Sequence, residues 1–390
     1  MFATNPSASP KVTELTLEPS SPLHSSSKDR IFLYNASLLA EPLCWSFESL
    51  RYRTVIPFEF TGSLENKTQD IACRILRALI AIPLLPMGIV LGAVSKCCRA
   101  IGFALQKDGY TYVQGTGPEK DLKKDPTIRL MTWNICGLSG GLSYAYGGVL
   151  PWQERFERII NTIHEANPDL LILEEIYDAS LAEQLFQRLA PKFSHLYGHL
   201  GATTFGVGSG VMVFSRCPIS SFTYTNFTTN NWQNRRGFAT IAIQHPFKEE
   251  KIKIFGTHLA WKGTPEEAAC TRKRELEELH SAIQGSSAIL MGDLNCNGND
   301  EHADGAYLKT ILNDSNLLQK STCTDSLKGQ WKENPKDQKK TRTIDTISLF
   351  QKSMGRIKDW EIISAFTEEL NPKDALSDHH AIKATYEIEQ

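Results

Sequence analysis

The sequence predicts an α/β sandwich domain over residues 127–390, preceded by a hydrophobic segment that associates with a membrane. Three observations carry this. From Thr127 onward, short apolar runs alternate with amphipathic helical stretches, the mark of sheets covered by helices. An acid, an amide or a histidine stands at the end of most of those runs. Upstream, Ala78 to Val94 contains no charged residue, while Arg74 and Arg77 precede it and Lys96 and Arg99 follow it.

The elements can be placed in order. Residues 1–30 hold serine clusters and prolines without apolar periodicity and are expected to be disordered. Residues 31–107 form the hydrophobic region; its first part, 31–60, is aromatic-rich and reads as irregular. The run 78–94 sits at the lower length limit for a membrane span. Pro83 and Pro86 are expected to kink or break a helix there. Three readings remain open: a membrane-inserted helix or re-entrant hairpin, a core helix, and a shallow interfacial segment. Cys73, Cys97 and Cys98 flank the run and could carry acyl groups or stand as plain thiols. Residues 108–126, rich in glycine, proline and charge, read as a linker.

Strands are then expected at Arg129–Trp133, Asp169–Leu173, Val211–Phe214, Ala239–Ile243, Ile252–Phe255, Ile289–Met291, Ile344–Leu349 and Ala381–Tyr386. Helices are expected at Glu154–Ala166, with Phe156, Ile159, Ile160 and Ile163 on one face, at Leu181–Leu189, and at Glu266–Ile283.

Composition excludes little. The net charge of −2 over 390 residues supplies no global positive field for nucleic acid, though a local basic cleft stays open. Nine cysteines without a CxxC pair point to reduced thiols in a cytosolic compartment. The polar start shows no secretory signal; a serine-rich N-terminus would also suit a secreted bacterial effector.

The chemistry lies at the strand ends: Asn134, Glu175, His258, Asp293 with Asn295, Asp345, and Asp378 with His379. Taken singly, each has a plain explanation as a turn former or a solvated polar group. Together they offer carboxylates, carboxamides and histidines, the groups metal-assisted phosphoester cleavage needs.

Their order resembles that of the endonuclease/exonuclease/phosphatase (DNase I-like) superfamily. The matching segments are Thr132-Trp133-Asn134, Leu173-Glu174-Glu175-Ile176, Gly210 to Ile219, Gly256-Thr257-His258-Leu259, Gly292-Asp293-Leu294-Asn295, Ile344-Asp345 and Ser377-Asp378-His379. The resemblance implies a four-layered α/β sandwich over 127–390 and a divalent cofactor, Mg²⁺ or Mn²⁺. It implies Glu175 as chief metal ligand, with Asn134 and Asp378 as further ligands. Asp293 and Asn295 would position the attacking water and the phosphoryl group. His379, oriented by Asp345, would be the general base. His258 would contact or protonate the departing side. One departure is Glu174, where the family often has Gln.

Within the superfamily the chain looks most like neutral sphingomyelinases, through Gly208 to Ile219, Arg235-Arg236-Gly237-Phe238 and Thr257-His258-Leu259. Arg236 replaces their lysine and would hold phosphate as a fork. The expected substrate is then a membrane phospholipid, sphingomyelin cleaved to ceramide and phosphocholine, with no protein partner required. Trp232 could touch the interface or cover a core edge. The alternatives are an inositol-phosphate phosphatase, a scaffold with a decayed site, and a nuclease of the same fold. The nuclease would use Arg235-Arg236, Arg272-Lys273-Arg274 or Lys339-Lys340 on DNA or RNA.

Overall fold

The computed structural model describes residues 28–55, 64–106, 109–142, 149–201, 208–230, 235–296, 302–311, 323–324, 341–342, 344–350, 354–365 and 375–390. The expected disordered tail up to residue 27, Trp232 and Lys339-Lys340 lie outside them.

Two helices come first, α1 (Lys28–Val55) and α2 (Leu64–Leu105). Residues 31–55 are therefore helical, not irregular as the aromatic content implied. Pro83 and Pro86 do not break α2 either. Both stand exposed, so their rings displace no neighbour. The helix carries the two backbone hydrogen bonds a proline cannot donate and the crowding of each ring against the carbonyl four residues before it. The helices approach closely at Gly88 and Gly92. A Cβ at Gly92 would meet Leu43 Cδ2 at 2.5 Å. Small residues at that spacing let two helix backbones come together.

A seven-stranded sheet holds β1 (Thr111–Gln114), β2 (Thr127–Asn134), β3 (Leu170–Glu174), β4 (His195–Gly198), β5 (Met212–Ser215), β13 (Gly355–Ile363) and β14 (Ala381–Ile388). Their order is β1-β4-β5-β3-β2-β14-β13. A five-stranded sheet holds β6 (Ile219–Asn226), β7 (Gly237–Gln244), β8 (Lys251–His258), β9 (Ala288–Asp293) and β12 (Asp345–Phe350), in the order β12-β9-β8-β7-β6. A short pair, β10 (Cys323–Thr324) with β11 (Thr341–Arg342), stands apart. The segment expected as a linker is partly ordered into this frame. Within it β1 pairs antiparallel with β4, and Leu122 is buried between the sheets.

Four layers result. Ile128, Leu130, Ile172 and Val213 of the first sheet meet Ile241, Ile254, Ile289 and Met291 of the second. On the outer face of the first sheet, Met131, Leu171 and Leu173 are covered by α3 (Trp152–Ala166) and α4 (Ala179–Leu189). The second sheet's outer face, with Phe238, Phe255 and Leu290, is covered by α5 (Pro265–Ile283) and α6 (Ala303–Ile311). Successive residues point to opposite faces of a strand. A strand buried on both faces must therefore be apolar throughout, which is why β3 reads as an unbroken run.

Helix α3 fits its predicted face: Phe156, Ile159, Ile160 and Ile163 are all buried. Helix α5 starts at a capping box, Thr264 with Glu267, a local start signal that satisfies two end groups reciprocally.

Candidate active site

Strand register assembles the site. In the second sheet Asp345 pairs directly with Asp293, and His258 pairs with Asp293 on the other side. Three polar residues thus form a row across β12, β9 and β8. In the first sheet Asn134 pairs with Glu174, which places Glu175 just beyond the strand end. Gly292 makes the row possible. Its φ of 133° is open to glycine, and any Cβ there would strike the Thr257 carbonyl.

The two rows meet across the inter-sheet gap. Asn134 Nδ2 donates to Asp293 Oδ2 at 3.0 Å and lies 3.5 Å from His379 Nε2. His379 Nδ1 lies 3.0 Å from Asp345 Oδ2, and its Nε2 lies 3.8 Å from Asp293 Oδ2. His258 Nε2 is 3.6 Å from the same Asp293 oxygen. Asn295, at φ 51°, donates its backbone N–H to Asp293 Oδ1 at 2.8 Å, and its amide reaches the Leu259 carbonyl at 3.2 Å. Asn134, Asp293, Asp345, His258 and His379 are buried, while Glu175, Asn295 and Asp378 are half-buried. Each predicted residue lies in this cluster or on its rim, Arg236 close enough for its charge to act on His258 and Tyr177.

Arg236 is paired there with a carboxylate. Its Nε and Nη2 each lie 2.9 Å from Glu275 Oε1. The other Glu275 oxygen accepts from the Ala260 backbone N–H at 2.8 Å. Arg236 therefore braces the chain that leaves His258, and the structure gives its guanidinium a carboxylate instead of an open site. Arg272, a candidate nucleic-acid contact, is likewise buried, with Nε 2.6 Å from Asp304 Oδ2 and Nη1 on the Ala260 carbonyl.

Sequence reasoning passed over three residues. Arg155 is fully buried and donates to the carbonyls of Leu150, Ile135, Cys136 and Leu376. It ties the chain after Asn134 to the chain before Asp378. A signal was available, because Arg155 falls on the same face as Ile159 and Ile163 at i, i+4 and i+8. Tyr177 OH stands 3.4 Å from His258 Nδ1, and no periodic pattern marks it. Trp133 Nε1 donates to the His379 carbonyl at 2.9 Å and fixes the histidine's backbone.

The electrostatics are those of crowded acids. Burial, with Asp378 next to it, pushes Glu175 up to about 7. Burial and the facing Asp345 raise Asp293 above the usual carboxylate range. Burial does the same to Glu174, which accepts from Thr132 Oγ1 at 2.6 Å and leaves its other oxygen without a hydrogen-bond partner. Burial drives His258 down to about 4, and its Nε2 has no hydrogen-bond partner. Acids held near one another against their own repulsion suit a hard divalent cation with oxygen ligands. Among the described residues, Asp293, Asp345 and His379 hold their donor atoms within 4.8 Å of one another, with His379 Nδ1 turned to Asp345. Glu175 and Asp378 add carboxylate oxygens beside that group, the donor type a hard cation prefers.

The decisive comparison is with known families. A model of the Endonuclease/Exonuclease/phosphatase family matches residues 131–331. The chain belongs to that family. Members of the endonuclease/exonuclease/phosphatase family are divalent-metal-dependent phosphoric ester hydrolases, and this chain is a phosphodiesterase of that kind.

Beta toxin from Staphylococcus aureus superposes with a TM-score of 0.51 at 17% identity, over 66% of this chain and 99% of that one. A mutant of the toxin with bound magnesium ions gives the same TM-score and identity, over 67% and 99%. D. rerio TDP2 complexed with a single-strand DNA product gives 0.50 at 17% identity, over 67% and 99%. At these identities the likeness establishes the DNase I-like fold. Comparison with curated protein sequences gives no match.

Proposed function

We propose that the chain is a membrane-associated, magnesium- or manganese-dependent phosphodiesterase that hydrolyses a phospholipid headgroup, releasing ceramide and phosphocholine from sphingomyelin. The observation that carries the lipid reading is α2. It presents Leu79, Ile82 and Val90 at 63%, 60% and 63% exposure on a helix joined to the active-site domain. Among the described residues, it is the helix long and apolar enough to cross a membrane, over Ile71–Leu105.

Roles follow from the donor geometry. Glu175, Asn134 and Asp378 would hold the cation. When bound, it supplies Lewis-acid polarisation of the phosphoryl oxygen. His379 turns Nδ1 to Asp345 and its Nε2 towards Asn134 and Asp293, the side from which it would take a proton from the attacking water. Asp293, between Asn134, Asn295 and both histidines, orients that water. A His258 held near 4 is neutral at physiological pH, so it serves as a hydrogen-bond donor to the phosphoryl group and not as a resident acid.

The nuclease reading has less support. Arg236 and Arg272 are both occupied by buried carboxylates. The test is the full chain on sphingomyelin vesicles, phosphatidylcholine vesicles and plasmid DNA, each with Mg²⁺ or with EDTA, beside Asp293→Ala. Sphingomyelin turnover that needs Mg²⁺ and is lost in the variant is expected. Plasmid nicking without lipid turnover would sink the lipid reading.

A further inference from the structure

We propose that α2 lies in the plane of the bilayer surface, immersed along its exposed half, and does not cross the membrane; this rests on the membrane reading above. The charge-free run 78–94 has the composition of a span, but the catalytic domain touches α2 on both sides of it. Before the run, Arg77 Nη2 lies 3.5 Å from Glu154 Oε1. After it, the Phe103 ring stands 6.1 Å from the His199 ring. Those two helix positions are separated by about 39 Å at 1.5 Å per residue. The hydrocarbon core of a bilayer is about 30 Å thick. A crossing helix would therefore require Glu154 and His199 to stand on opposite sides of the membrane. Both stand on elements of one continuous packed core, Glu154 on α3 and His199 directly after β4. A folded domain cannot straddle the hydrocarbon.

The distribution of side chains around α2 agrees. Its buried positions, Arg74, Ala81, Gly88, Gly92, Ser95 and Gly102, recur at intervals of three, four and seven and make one stripe towards α1 and the domain. The large exposed apolar residues from Ile71 to Ile101 occupy the opposite half of the circumference. Three of the four flanking cations engage the protein, and Lys96 stands exposed. Arg74 is buried, Arg77 meets Glu154, and Arg99 lies over the Phe103 ring at 5.0 Å. An uncharged half-cylinder running the length of a helix is the form of an interfacial anchor sunk about 5–10 Å into the headgroup–acyl boundary.

The consequence is positional. Arg99 and Phe103 line one small cavity with Ile176, Tyr177 and Asp178, the residues that follow Glu175. An in-plane α2 therefore carries the rim of the site at the lipid surface, where the scissile headgroup ester lies.

A depth profile tests the orientation. An environment-sensitive fluorophore is placed in the full chain at Ile75→Cys, Met87→Cys or Ile101→Cys, with the accessible cysteines changed to serine. Each labelled protein is bound to phosphatidylcholine vesicles carrying nitroxides at shallow or deep acyl positions. All three sites are expected to be quenched by the shallow nitroxide and to report one common depth. A profile that is shallow at 75 and 101 and deep at 87 would overturn the proposal in favour of a span. No quenching at any site would overturn it in favour of a protein-covered helix. Thermal melts of the labelled proteins confirm the fold. No turnover is read, so a failure of the phospholipid assay and a failure of this orientation are told apart.

Discussion

In the catalytic domain both faces of both sheets are covered, and Ile172, Ile254 and Leu290 are excluded from water. On α2, residues of the same chemical kind stand in the open. The domain closes its own core and gathers Asn134, His258, Asp293, Asp345 and His379, all buried, at one end of the sheets. The two N-terminal helices close one stripe of α2, from Arg74 to Gly102, which includes the close approach of Gly88 and Gly92 to Leu43. Exposed apolar surface on this scale marks a contact to be made with something else.

The largest expected effect falls on the chemistry. His379→Ala should lower turnover of a soluble phosphodiester by roughly 10²- to 10⁴-fold, the usual contribution of a general base. Steady-state kinetics with an unchanged thermal melt would confirm that the loss is chemical. Next comes the domain core. Ile172→Ala, between the sheets, should cost about 2–5 kcal/mol in denaturant unfolding. Near-wild-type stability would mean that the inter-sheet layer can collapse around the gap.

The hairpin should respond less, and separately. Gly92→Leu forces a side chain into Leu43 and should cost about 1–3 kcal/mol of local packing. It should leave soluble-substrate turnover unchanged. A matching loss of turnover would break the division between the two regions.

The smallest effect is a pH dependence. In the metal-free protein Glu175 is raised from 4.5 to about 7, so the folded state holds a proton the unfolded state releases between those values. Its contribution is therefore full below about 4.5 and is lost as pH rises through about 7. A cation must displace that proton, so Mg²⁺ should raise Tm more at pH about 8 than at pH about 6. Glu175→Gln should flatten the difference; a Mg²⁺ shift independent of pH in the wild type would remove Glu175 from the ligand set.

Much of the domain was legible because a strand buried on both faces leaves a continuous apolar run, as in Ile289 to Met291, and the functional group follows at its end. The polar residues Asn134, Asp293 and His379 could be found because the chain places each at such an end. What stayed hidden depends on distant partners. Arg236 looked like a phosphate fork, since nothing nearby in sequence announces Glu275. Arg155 was passed over because its carbonyl acceptors, at Leu150, Ile135, Cys136 and Leu376, are brought to it only by the fold. Segment 108–126 looked like a linker because β1 gains its meaning only beside β4. In α2, composition allowed a span, and the two domain contacts at Arg77 and Phe103, on which the in-plane proposal rests, have no signal in the sequence.

The most direct test compares two substrates with one surface change. Ile80→Glu with Val90→Glu puts charge on the exposed half of α2, away from every residue of the site. Wild type and variant are assayed with Mg²⁺ on sphingomyelin in vesicles and on a water-soluble phosphodiester. Vesicle turnover should collapse in the variant while soluble turnover holds. Equal turnover of vesicle sphingomyelin by both proteins would contradict the account.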